Sequence, residues 1–178
     1  GGVRGGLDTE IGAGTVNVLI EAAEFTTLSI RSTARKLNLH SDSSYRFERG
    51  VDPAGVDWAS RRCCDLILQV AGGELCKGSV SMGRTENDAQ QRNPITLRFD
   101  QLKRVLGIEV PTDSVLHILQ ALGAVQHGPV AHERVEFLPP TWRRDLTREI
   151  DLIEEVARIY GYHHIPEDVD VPLTTSSR

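Results

Sequence analysis

The chain has 178 residues, 39% hydrophobic and 25% charged, with a formal net charge of −5. That is an ordinary globular composition, with room for one domain or two small ones. No apolar run nears the ~18 residues of a membrane-spanning helix, no basic-then-apolar leader opens the chain, and the acidic balance argues against a chain-wide nucleic-acid-binding field.

The first stretch, Gly1 to Gly14, is dense in glycine and begins without Met, which reads as an internal piece of a longer chain. Glycines so close together permit positive φ and close backbone approach, but no Gly-Lys-Ser/Thr follows, so this is not a phosphate-binding P-loop. The apolar run from Val16 to Phe25 is expected to be a strand with Glu21 inside it. A carboxylate buried there must find a partner or shift its pKa. Leu28 to Leu39 has the spacing of a short amphipathic helix, with Ile30, Ala34 and Leu37 inward and Arg31, Arg35 and Lys36 outward. Tyr45 to Gly50 alternates aromatic and charged residues and is expected to be a half-exposed strand. Asp52-Pro53 turns into a helix over about 54–70, with Trp58, Cys63, Leu66, Ile67 and Val70 as its apolar set, stopped by Gly72-Gly73. Leu75 to Met82 is expected to form a last strand. Cys63, Cys64 and Cys76 match neither a disulfide framework nor a zinc spacing, and are expected to be buried fillers or inert thiols.

Residues 83–93 are polar and read as a linker. After them Ile95 to Phe99 is expected to be a strand. Asp100 is the expected cap of a helix over 101–106, and Thr112 or Asp113 that of a helix over 114–122. Ala124 to Gln126 and Arg134 to Leu138 should pair across the loop 127–133. The order strand, helix, helix, two strands, helix resembles a winged-helix-like module. Its second helix carries His117 and Gln120 rather than a row of cations, a poor phosphate reader, so specific DNA binding is not expected.

The last element, WRRDLTREIDLIEEVARIYGY (142–162), is the most regular. At roughly 100° per residue, Leu152, Ile153, Val156, Ile159 and Tyr160 cover one face, while Asp151, Glu154 and Glu155 gather opposite, with Asp145 just before the helix. Spacing alone leaves two readings. One is a solvated acidic face favoured by the helix dipole and paired with Arg148 and Arg158; the other is a site for a hard cation such as Mg²⁺.

Several motifs are family-specific: GGVRGG at the start, VLIEAAEF at 18–25, SIRSTARKL at 29–37, SYRFERGVDP at 44–53, PPTWRRD at 139–145 and DLIEEVARIYGYHHIP at 151–166. With these residues the chain resembles the beta chain of bacterial phenylalanyl-tRNA synthetase. The resemblance implies an α+β fragment. Residues 1–83 would be the C-terminal half of a tRNA-editing domain with part of its sheet, 84–93 a linker, 94–165 a winged-helix-like domain and 166–178 a tail. It implies a share in attaching phenylalanine to its tRNA with ATP in the cytoplasm. The assembly would hold two alpha and two beta chains, with ATP bound on the alpha chain.

The resemblance further implies that Asp145, Asp151, Glu154 and Glu155 bind Mg²⁺ near the alpha chain. An editing pocket that hydrolyses tyrosine wrongly attached to the phenylalanine tRNA would use Gly1, Gly2, Gly5, Glu21 and Ser43. The physical need is clear: an apolar pocket rejects an analogue that only adds a hydroxyl by ~10², whereas a site that hydrogen-bonds the hydroxyl discriminates far better. Glu21 would accept that hydroxyl, and Ser43 stands where many members have Ala. The family's pocket histidine would lie upstream of Gly1, so the fragment alone is expected to be inactive. Other readings of Glu21 and of the chain stay open: a half-buried carboxylate paired with Arg31, Arg35 or Arg46, and a stand-alone RNA- or protein-binding module reusing these folds.

Overall fold

The computed structural model describes residues 1–83 and 92–167, and the chain divides into two compact units, Gly1–Gln91 and Arg92–Arg178. The tail at 168–178 and most of the stretch read as a linker lie outside the described residues.

In the first unit, α1 (Thr27–Leu37) ends on Asn38 in the left-handed conformation at φ 51°. The Leu39 N–H returns to the Ala34 carbonyl at 2.9 Å. Ser41 opens α2 (Asp42–Phe47) through a reciprocal box, its hydroxyl accepting from the Ser44 N–H and the Ser44 hydroxyl accepting from the Ser41 N–H. This overturns the strand expected at 45–50. The alternation of YRFERG mimics a strand, but the cap satisfies orphan N–H groups and commits the segment to a helical turn. Asp52 and Pro53 then lead through a 3-10 turn into α3 (Val56–Ala71), close to its expected limits.

The strands expected at 16–25 and 75–82 do not form, and the described residues of this unit contain no strand. A strand is stabilised only by a neighbour to receive its hydrogen bonds, and none is present for either segment among the described residues. The unit's small core is Val3, Ile30 and Ala34, with Phe25, Leu39 and Phe47 packed against it. The Phe25 and Phe47 rings meet edge to face, centroids 4.8 Å apart. Leu37, expected inward, is exposed, and no residue of α3 is buried. Cys63 and Cys76 are exposed and Cys64 half-buried, all three free, so they are not the buried fillers expected.

The second unit keeps the expected order: β1 (Ile95–Arg98), α4 (Phe99–Leu106), α5 (Thr112–Ala121), β2 (Val125–Ala131), β3 (Arg134–Leu138) and α6 (Glu149–Tyr160). The two cap assignments shift. α4 begins one residue before Asp100, whose carboxylate accepts only from the adjacent Gln101 N–H, and α5 is preceded by Pro111 with no side-chain cap. The sheet is antiparallel in the order β1-β3-β2. Central β3 alternates in burial, and Val135 and Phe137 face the core opposite Leu97 and Ile95. The hairpin is longer than expected, since β2 runs on through Pro129 and turns at His132-Glu133. Pro129 is tolerated because β2 is an edge strand, irregular between His127 and Ala131. His132 and Glu133 both have positive φ, 51° and 57°, the combination of a tight type I′ turn.

One continuous core joins Leu97, Leu102, Val115, Leu119, Val135, Phe137, Leu152, Ile153 and Val156, all essentially inaccessible to solvent. Gly123 sits at φ 87°, and a Cβ there would lie 2.8 Å from the Trp142 ring, so the backbone is bare where the indole crosses it.

Candidate functional site

In α6, Leu152, Ile153 and Val156 enter the core as the periodicity requires, whereas Ile159 is half-exposed. The acidic side is not uniformly solvated. Glu155 is 7% exposed and Glu154 is exposed. A carboxylate buried to that degree requires charged partners, and Glu155 has two: Arg143 Nη2 donates to its Oε1 at 2.7 Å, and Arg158 donates to its Oε2.

The Arg143 guanidinium also forks onto Asp145, with Nε to Oδ1 at 3.0 Å and Nη2 to Oδ2 at 2.6 Å. Asp151 Oδ2 accepts from the Thr147 N–H at 2.9 Å and the Arg148 N–H at 2.7 Å, closing the first turn of the helix, while Arg148 Nη2 reaches Oδ1 at 3.0 Å. Glu149 is drawn away to Arg98, which it binds at 2.6 Å. Glu154 pairs with no described residue.

These partners set the protonation states. Hydrogen bonds from Arg143 hold both Asp145 and Glu155 below the usual carboxylate range, against partial burial. For Asp151, burial pushes upward, but the Thr147 N–H and Arg148 outweigh it and the net shift is downward. Arg143 itself is held more firmly protonated by Asp145 and Glu155.

The Mg²⁺ ligands implied by the resemblance are therefore gathered but occupied. Of the four carboxylates, only Glu154 keeps its oxygens unengaged. Among the described residues no three His, Cys, Asp or Glu side chains are arranged to hold a metal ion. In this arrangement the residues do not fit Mg²⁺, which needs oxygens at about 2.0–2.1 Å in near-octahedral geometry. Arg143 carries the cluster and escaped the sequence reading, because it stands in the loop before α6, where no helical spacing pairs it with Glu155. Only the run of two arginines immediately before an aspartate pointed to it.

Of the residues implied for editing, Gly1, Gly2 and Glu21 are brought together. A Cβ on Gly1 would lie 2.9 Å from the Phe25 ring and 3.8 Å from Glu21 Oε1. A Cβ on Gly2, at φ 74°, would lie 2.6 Å from Ile30 and 2.9 Å from Phe25, so only glycine brings this segment against the core. Glu21 is exposed, and no ion pair joins it to Arg31, Arg35 or Arg46 among the described residues. Gly5 is exposed with no neighbour at its Cβ position, and Ser43 lies on the exposed side of α2. A missed residue, Ser41, ties α2 to the glycine segment, its hydroxyl donating to the Val3 carbonyl at 2.6 Å. Its signal in the sequence was the Ser41–Ser44 spacing of a helix cap.

Two family models match in tandem: the B3/4 domain over residues 1–72 and the tRNA synthetase B5 domain over residues 95–162. The phenylalanine–tRNA ligase beta subunit of Rhodopirellula baltica is 47% identical to the chain over all 178 residues. The chain belongs to the phenylalanine–tRNA ligase beta-subunit family. Beta subunits from Salinibacter ruber, 46% identical over 97% of the chain, and Dickeya dadantii, 42% over 93%, agree. The chain covers 25% of the length of the first of these ligase subunits and 20% of the other two. Its two units correspond to successive domains of such a subunit.

Proposed function

We propose that this chain contributes to a phenylalanine–tRNA ligase in two ways: its first unit supplies part of the site that removes mischarged tyrosine, and its second helps to dock the alpha chain. What carries the reading is the uninterrupted similarity of the whole chain to beta subunits, with the B3/4 and B5 matches in the same order. The intact enzyme joins phenylalanine to its tRNA with ATP, in the cytoplasm, as an assembly of two alpha and two beta chains. ATP and its Mg²⁺ act on the alpha chain. None of the described helices is long and apolar enough to cross a membrane.

In the first unit, the Glu21 carboxylate lies beside Gly1 and forms no ion pair among the described residues, so it is available to accept a hydrogen bond from a hydroxyl, as recognition of tyrosine requires. Gly1 and Gly2 let the backbone pass close beside Phe25 next to that carboxylate, and Gly5 and Ser43, both exposed, would join the site as parts of its outer wall. In the second unit, Asp145 and Glu154 present an acidic surface to the alpha chain, backed by the arginine-paired and largely shielded Asp151 and Glu155. As arranged they pair charges rather than hold Mg²⁺.

The test uses the full-length beta chain co-expressed with its alpha chain. Glu21→Ala should slow hydrolysis of tyrosyl-tRNA by roughly tenfold or more, because a site that recognises a hydroxyl by hydrogen bonding discriminates steeply, and should leave phenylalanine charging unchanged. Hydrolysis at the wild-type rate would remove Glu21 from the pocket. Loss of charging as well would point to assembly instead.

A further inference from the structure

Arg143 stands where a cation bridging two carboxylates would stand. Its Nη2 lies 2.6 Å from Asp145 Oδ2 and 2.7 Å from Glu155 Oε1, and its Nε closes the second oxygen of Asp145 at 3.0 Å. The placement is fixed from the backbone side too. The Arg143 N–H donates to the Pro140 carbonyl at 3.1 Å, and the Arg143 carbonyl accepts from Arg92 Nη1 at 2.7 Å. The residue is thus held both at its backbone and at its guanidinium, and its side chain is mostly shielded from water, 23% exposed.

A divalent ion at this point would need the same oxygens at about 2 Å and would sit against a fixed positive charge whose repulsion is poorly screened in a part-buried site. The remaining groups facing the cluster do not relieve the conflict. Arg158 holds the other oxygen of Glu155, and Arg148 holds Asp151.

We infer that Arg143 is the resident counter-cation of the Asp145–Glu155 pair, that Arg143 and a divalent metal ion exclude one another there, and that Arg143 therefore sets the metal affinity of this cluster. The inference goes beyond the ligase reading and does not depend on it. It concerns only how this chain's own carboxylates are neutralised.

The probe is Mg²⁺ alone, added as MgCl₂ against NaCl of matched ionic strength, to the 178-residue chain. Titration calorimetry compares wild type with Arg143→Gln, which removes the charge, and Arg143→Lys, which keeps a charge without the fork. Arg143→Gln should bind Mg²⁺ at least about tenfold more tightly than wild type, since it removes a unit positive charge a few ångströms from the ion, with Arg143→Lys in between. Equal or weaker binding by Arg143→Gln overturns the proposal. Where that variant fails to fold by circular dichroism, Arg143→Lys binding no tighter than wild type overturns it instead. The wild-type chain gives a second, independent reading through the side-chain Nε–H resonance of Arg143. That resonance should hold its position while Mg²⁺ stays unbound, or leave it as Mg²⁺ binds; Mg²⁺ bound at Asp145 and Glu155 beside an unmoved Arg143 resonance overturns exclusion.

Discussion

Glu155→Gln keeps the shape of the most buried carboxylate on α6 and removes its charge. Two bonds weaken. The bond to Arg143 joins side chains 9% and 23% exposed and counts as a shielded, charge-assisted hydrogen bond, about 1.5–3 kcal/mol. The bond to Arg158, whose side chain is 46% exposed, is screened by water and adds about 0.2–1 kcal/mol at most. Gln can still accept one hydrogen bond, so the expected loss is about 2 kcal/mol. Urea unfolding measures it with Trp142 as the reporter, in a Trp58→Phe background that silences the exposed indole of the first unit. The midpoint should fall at constant slope.

The pH dependence supplies an independent check. The Glu155 carboxyl is held below its ordinary range by Arg143 when folded and titrates near about 4.3 when unfolded. Its contribution is therefore fully present above that value and disappears as pH falls through it towards the lower folded value. Wild type should lose stability in that acid window more steeply than Glu155→Gln. Asp145 and Glu149, shifted the same way, keep part of the slope in both. The exposed Glu154→Gln serves as control and should stay within about 0.5 kcal/mol of wild type. If Glu155→Gln matches that control at neutral pH, or leaves the acid limb unchanged, the two-arginine account of Glu155 is wrong.

Other expectations follow from the same geometry. Phe137→Ala removes the ring at the centre of the sheet, fully buried against Ile95 and the helices. It should cost about 3–5 kcal/mol in the same urea assay. Gly2→Ala places a methyl group 2.6 Å from Ile30 at φ 74° and should destabilise the first unit by about 1–3 kcal/mol. Trp58 fluorescence in a Trp142→Phe background would report this without disturbing the second unit's core. Replacing His132-Glu133 with Asn-Gly relieves two side chains held at positive φ and should raise the second unit's stability by about 1 kcal/mol. An unchanged midpoint would mean that the turn is not a strained one.

The second unit was legible because its signals are local and repeated. Three and a half residues per apolar step over 150–160, alternation at Val135 and Phe137, and glycines after α4 and α5 each name an element without knowledge of its neighbours. The first unit was less so. Val16–Phe25 has strand composition, but composition does not supply a partner, and without one the segment stays irregular. At Tyr45–Gly50 a short alternation outweighed a cap three residues long, and the cap decided the outcome. The acidic cluster was seen in outline, yet its key member sits in a loop. Glu155 was read as solvent-facing because a helical wheel shows angles and not what folds over them. Arg143 folds over it.

Arg92 gives the second unit a starting edge. Its two terminal nitrogens donate to the Thr141 and Arg143 carbonyls, at 2.8 and 2.7 Å, across some fifty residues of chain. It falls within the stretch read as a linker, and a fragment cut to begin at the first sheet residue, Ile95, would discard it. The loop before α6 would then lose its outer hold, and the guanidinium two residues before Asp145 would lose the support that aims it. For anyone dissecting this subunit into pieces, the practical boundary lies before Arg92. An arginine outside every helix and strand there belongs to the architecture as much as the core does.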